Sequence, residues 1–106
     1  MDYSKMSDFE INSLVSMAVL DKSANPSERY VAIGDYCNNA ADAWLIIVEN
    51  RIAIIPDSTA GEWVAFNDFT LYEGDWMFAS DPAWHANGTN PLRAAMIVYL
   101  QLQEAK

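Results

Sequence analysis

The sequence predicts an α+β domain: about three helices packed on a small antiparallel sheet, with the C-terminal helix at the centre. Three observations lead there. Apolar residues recur at helical spacing behind capping residues at Ser7 and Asn90. The middle of the chain holds short aromatic and β-branched runs broken by turn residues. The closing stretch, "NGTNPLRAAMIVYLQLQEAK", is apolar around most of its circumference, as a helix enclosed by other elements must be. A chain of 106 residues makes one domain, residues 1–106. Its residues are 52% hydrophobic, with four Trp, five Tyr and four Phe, so it can build a core and lacks a disordered composition.

The first helix is predicted from the capping box Ser7–Glu10. Ile11, Leu14, Val15, Ala18 and Val19 follow as one buried face. It should end near Leu20, before the loop from Asp21 to Pro26. Tyr30 to Ile33, closed by Gly34, reads as a short strand. Asn38 or Asn39 can cap a second helix running through Asn50, with Ala41, Trp44, Leu45 and Val48 on its buried face. Ile52 to Ile55 reads as a strand stopped by Pro56-Asp57. Further strands are expected at Trp63–Phe66 and Trp76–Ala79. Between them lies "NDFTLYEGD", a loop with a turn at Glu73-Gly74-Asp75. Asn87-Gly88-Thr89 reads as a turn rather than a glycan site. Asn90 caps the last helix and Pro91 occupies its first position, where a missing amide costs nothing. Leu92, Ala95, Met96, Tyr99 and Leu100 form one stripe, and Ile97 and Val98 widen it. Those two face either the core or a second subunit, so the chain is expected as a monomer or as a homodimer through this helix.

Charge excludes several function classes. Fifteen acids against six bases give −9. Between Arg51 and Arg93 there is no Lys or Arg, yet Asp57, Glu62, Asp68, Glu73, Asp75 and Asp81 all fall there. Such a surface repels phosphate backbones and anionic membranes, so neither nucleic acid nor membrane is an expected direct partner. The first ten residues hold no basic segment followed by an apolar one, and the single Cys37 forms no internal disulfide. A cytoplasmic protein is expected.

Familiar catalytic spacings are missing. His85 is the one histidine, with Asp81 four residues upstream at loop spacing. Cys37 has no basic residue near it in sequence to activate it. The acidic loops "DSTAGE" and "NDFTLYEGD" lack the alternating acids and closing glutamate of a calcium loop. The four glycines stand singly, so no phosphate-cradling loop exists. No catalytic residue, metal ligand or cofactor is assigned. The tryptophans are the more suggestive feature. Trp44 and Trp63 suit the core; Trp76 and Trp84, framed by Glu73, Asp75, Asp81 and His85, suit an acidic aromatic contact surface.

Three stretches, "MSDFEIN", "CNNAADAW" with the "IIVENRI" that follows, and "NPLRAAMIVYLQLQE", together resemble the NinX-like family. These are small proteins encoded by lambdoid phages and enterobacterial prophages. The resemblance spans nearly the whole chain. Its last stretch is the most specific, since helix physics alone would not select Asn-Pro-Leu-Arg-Ala-Ala-Met. The family pattern often has proline after the tryptophan, where this chain has Leu45, so the second helix starts between Asn39 and Trp44. The resemblance implies a phage accessory protein in a bacterial cytoplasm and brings no catalytic residues. The function expected is a non-enzymatic, acidic protein-binding module acting on a host or phage protein, with a basic partner. A DNA mimic that inhibits a DNA-binding enzyme is the alternative, and a small metal-dependent enzyme around His85 and Asp81 the third reading.

Overall fold

The computed structural model of the chain describes residues 2–21, 33–67, 69–72, 75–78 and 85–105. A 3-10 turn, Tyr3–Lys5, precedes helix α1, Asp8–Asp21. Helix α2 is Ala40–Glu49 and helix α3 is Pro91–Glu104. Strands β1 (Ala53–Asp57), β2 (Glu62–Phe66) and β5 (His85–Gly88) form one antiparallel sheet in the order β1-β2-β5. Strands β3 (Phe69–Tyr72) and β4 (Asp75–Phe78) pair as a separate antiparallel hairpin. This is the α+β architecture expected, with the strands divided between two sheets.

Helix α3 is the centre. Seven consecutive residues, Ala94 to Leu100, are buried, so every side of the helix is covered along two turns. Helices α1 and α2 and the three-stranded sheet all pack on it. Ile97 and Val98 are buried within the chain itself. The sheet offers α3 the face carrying Ala65, Ile54 and Ala86, which lie side by side in the register. Small residues there let helix and sheet approach closely. Phe66, one residue on, points to the opposite face by the strand pleat and is buried too.

The local signals behave as chemistry requires. The Ser7 hydroxyl accepts from the Glu10 amide at 3.1 Å and donates to the Glu10 carboxylate at 3.2 Å. Asn39 caps α2 by accepting from the Ala41 and Asp42 amides, so the helix starts at the early limit, four residues before Trp44. Asn90 caps α3 in the same way, accepting from Leu92 and Arg93. Ile11 and Val15 are fully buried on α1, with Leu14, Ala18 and Val19 partly so.

Three expectations are corrected. "HANG" is strand β5, and it holds the first two residues of the expected Asn-Gly-Thr turn. It has no β-branched residue; pairing of Phe66 with His85 and of Trp63 with Gly88 makes it a strand. "FTLY", read as loop, is strand β3, paired with β4. Of the strand expected at 30–33, only Ile33 lies among the described residues, and it is exposed and not in a strand.

A further correction concerns α2. Its buried residues are Ala43, Ile46 and Ile47, whereas Ala41, Trp44, Leu45 and Val48 are exposed. The way α2 ends fixes its rotation. Ile52 donates to the Ile47 carbonyl at 3.0 Å and Arg51 to the Val48 carbonyl at 3.3 Å, the paired bonds of a Schellman motif. Its apolar clasp joins Ile47 to Ile52, both buried, so Ile47 must face the core from which β1 departs. Arg51 takes the left-handed position, φ 54°. Glycine would occupy that conformation without the Cβ clash. Arg51→Gly should therefore raise stability by about 0.5–1 kcal/mol in urea unfolding; a loss would show that the arginine side chain contributes more than its backbone strain costs.

Candidate interaction surface

The three stretches that carry the family resemblance meet at one end of α3. Asn90 and Arg93, from "NPLR", hold the other two. The Asn90 amide donates to the Cys37 carbonyl at 2.7 Å while its oxygen caps α3. From the other side, Asn12 of α1 accepts from the Cys37 amide at 2.9 Å. The peptide groups at Cys37 are thus gripped by two helices at once. Asn12 also donates to Asp35 at 3.1 Å, and Asn38 donates to Asp35 at 3.2 Å and to Asp8 at 3.4 Å. Arg93 completes the knot. One guanidinium nitrogen meets Asp8 at 2.9 Å; another donates to the carbonyls of Tyr3, Ser4 and Met6. Those carbonyls lie at the 3-10 turn and just after it, where backbone acceptors favour a cation; that of Tyr3 also accepts from the Met6 amide at 3.1 Å.

This knot is built for joining rather than for reaction. Cys37 is fully buried, and burial, reinforced by the Asp8 charge, pushes its thiol up to about 11. It is therefore a poor nucleophile at neutral pH. Burial, together with a hydrogen bond to Glu104, pushes the Tyr3 phenol up to about 12. Among the described residues no three His, Cys, Asp or Glu side chains gather as they would round a metal ion. A cleft of about 280 Å³ lies beside the knot, with Glu62, Asn87 and Arg93 in its wall. Its single cation is already committed to Asp8 and three carbonyls.

The expected contact residues are placed unevenly. His85 opens β5, is exposed, and has its carbonyl bonded by Gln101 at 3.3 Å. Asp75 and Trp76 belong to β4, where Trp76 pairs with Leu71. Glu73, Asp81 and Trp84 lie outside the described residues. Of the other acids in the cation-free stretch, Asp57 and Glu62 pair across β1 and β2. Asp57 accepts from the Thr59 and Ala60 amides, and Glu62 accepts from Asn87 at 3.1 Å.

Among the side chains described, Phe9 on α1 is 68% exposed, and two tryptophans are exposed as well. Trp44, assigned to the core from its sequence, is 62% exposed; Leu45 is 66% and Val48 52%. Trp63, also expected inside, is 37% exposed at the sheet edge of the core. Helix α2 therefore has two apolar faces. At about 100° per residue, the centre of the Ala41–Trp44–Leu45–Val48 stripe lies roughly 160° from that of Ala43–Ile46–Ile47. Asp42 and Glu49 are all that is charged on the helix, and both lie along one edge of the outward stripe. Sequence reading found the larger stripe and gave it to the core because bulk argues for burial. The second stripe was visible as the near-absence of a polar face.

The fold and this surface define a small α+β protein with a helix-centred core and an exposed apolar ridge. A family model described as bacteriophage P22 NinX matches residues 2–103, and the chain belongs to that family. No curated protein and no solved structure matches it. Among the described residues no helix is long and apolar enough to cross a membrane.

Three outcomes follow from the knot. Arg93→Met removes the donor shared by Asp8 and the carbonyls of Tyr3, Ser4 and Met6 and should cost about 1–3 kcal/mol in urea unfolding, and Arg93→Lys should recover less than half, since an ammonium cannot fork between Asp8 and three carbonyls. Cys37 should refuse aromatic disulfide reagents at pH 8 until the chain is unfolded. Because Cys37 and Tyr3 hold their protons more tightly when folded, their contribution is complete below about pH 9 and is lost as pH rises through the folded values. Stability measured across pH 8 to 11 should fall, and Cys37→Ala should flatten the first part of that fall.

Proposed function

We propose that this protein is a non-enzymatic phage accessory module that acts by binding a protein of the phage or its host. One observation carries the reading: α2 spends its smaller apolar stripe on the core and leaves its larger one, with Trp44, in water. Exposed large apolar side chains scattered singly need no explanation, but a row of them on one helix face is how docking surfaces look. Tryptophan and leucine on a rigid helix also lose little freedom when covered. The acidic balance of the chain supports a basic partner, since opposite charge speeds encounter.

DNA mimicry has no comparable support. It needs carboxylates in ordered rows, and α2 carries two acids while α3 carries one, Glu104. The stretch with Glu73, Asp75, Trp76, Asp81, Trp84 and His85 remains a sequence-based candidate for a second part of the surface.

The test is quantitative affinity capture with the tagged chain in phage-carrying cells, comparing wild type, Leu45→Glu and Asp75→Lys/Asp81→Lys. Leu45→Glu should keep its urea midpoint and lose at least about tenfold of the recovered partner, the ratio expected for about 1.4 kcal/mol or more of lost contact. Identical recovery by all three proteins would overturn the binding reading.

A further inference from the structure

We infer that the outward face of α2 receives a cationic amphipathic helix, its apolar stripe laid on Trp44, Leu45 and Val48 and its basic flank on Asp42 and Glu49. This rests on reading the protein as a binding module and names what it binds.

Three features of the ridge select that occupant. The first is backbone chemistry. A helix interior has no unpaired backbone donors or acceptors, so α2 cannot add a strand to itself and must be recognised through side chains alone. The second is shape. Ala41, Trp44, Leu45 and Val48 follow the i, i+3, i+4, i+7 spacing along about two turns, roughly 10 Å. Ridges at that spacing mesh with the grooves of another helix bearing the same pattern. The third is charge. Asp42 and Glu49 stand seven residues apart on one edge, both exposed. No described Lys or Arg stands on that edge: Lys5 and Arg93 belong to other elements, and Arg51 lies beyond the last turn. Lysine or arginine along one flank of the incoming helix would meet both acids.

Charge also argues against a second copy of this chain. In a two-fold antiparallel pair, equivalent edges of the two helices meet. Asp42 of one copy would then face Glu49 of the other, and the whole chain, at −9, would face another of −9. An anionic lipid surface is repelled by the same balance.

The test uses the full 106-residue chain and a defined probe: a fluorescein-labelled 14-residue Leu/Lys peptide with leucine at helical spacing. Controls are the same composition scrambled so that no stripe forms, and the striped peptide with Glu in place of Lys. Fluorescence anisotropy at 50 and 300 mM NaCl reads affinity; sedimentation reads self-association. The striped Lys peptide should bind, at least tenfold more tightly than its scramble, with the Glu version weakest and binding reduced by salt. Leu45→Glu, and separately Asp42→Asn with Glu49→Lys, should each weaken it at least tenfold while leaving the urea midpoint near wild type. Equal binding of striped and scrambled peptides, or indifference to both variants, would overturn the assignment. So would a dimer dissociated by Leu45→Glu, which would give the face to a second copy. A partner captured in cells through Leu45, together with failure of the striped peptide, would overturn the cationic helix and leave the binding module standing.

Discussion

Seven successive residues of α3, Ala94 to Leu100, are buried, and the rest of the molecule is arranged by that demand. A helix normally solvates one side. Here Ala94 and Ala95 at one level, and Met96, Val98 and Leu100 around the others, leave nothing polar for solvent to meet. Covering such a rod takes α1, α2 and a sheet together. Each layer must approach from a different direction, so each must be held at its own angle. The polar knot at the start of α3 does this. Asn90 accepts from the helix's first amides and donates to the Cys37 carbonyl, and the Arg93 guanidinium donates to the turn before α1. Apolar burial supplies the driving force without direction; these bonds supply direction.

That division of labour explains why the molecule presents a ridge. Once the Cys37 peptide is held at one end of α2 and the Ile47–Ile52 clasp at the other, the rotation of the ten-residue helix is set. The stripe left outside is the one with Trp44. A globule optimised only for its own stability would turn the larger side chains inward. Leaving Trp44, Leu45 and Val48 wet gains nothing for the fold; in the proposed reading it offers a partner a surface that is already ordered. The acids along one edge keep that surface solvated, and in the proposed reading they favour a partner of opposite charge.

Much of this was legible in the residues. The Ser7 box, the Asn39 and Asn90 caps and the Pro91 start are local chemistry, readable within four residues of sequence, and the helices begin where they say. The fully apolar character of α3 announced a central position. The strands at β1 and β2 followed from aromatic and branched runs, but β1 runs on through Pro56 and Asp57, expected to stop it, because both pair with β2. What escaped was whatever depends on a neighbour distant in sequence. "HANG" is a strand because β2 lies beside it. The knot joins residues separated by up to ninety positions, and no spacing rule reveals that Asn12 and Asn90 hold the same residue.

The sequence by itself determined the helices, their caps, the enclosed role of α3 and the acidic balance, because each follows from side chains near one another along the chain. Only the tertiary structure decided which face of α2 is dry. Both of its stripes are apolar and either would satisfy a periodicity. The choice between them was made by anchors at its two ends, which bond to α1, α3 and β1 and so exist only once those elements are in place.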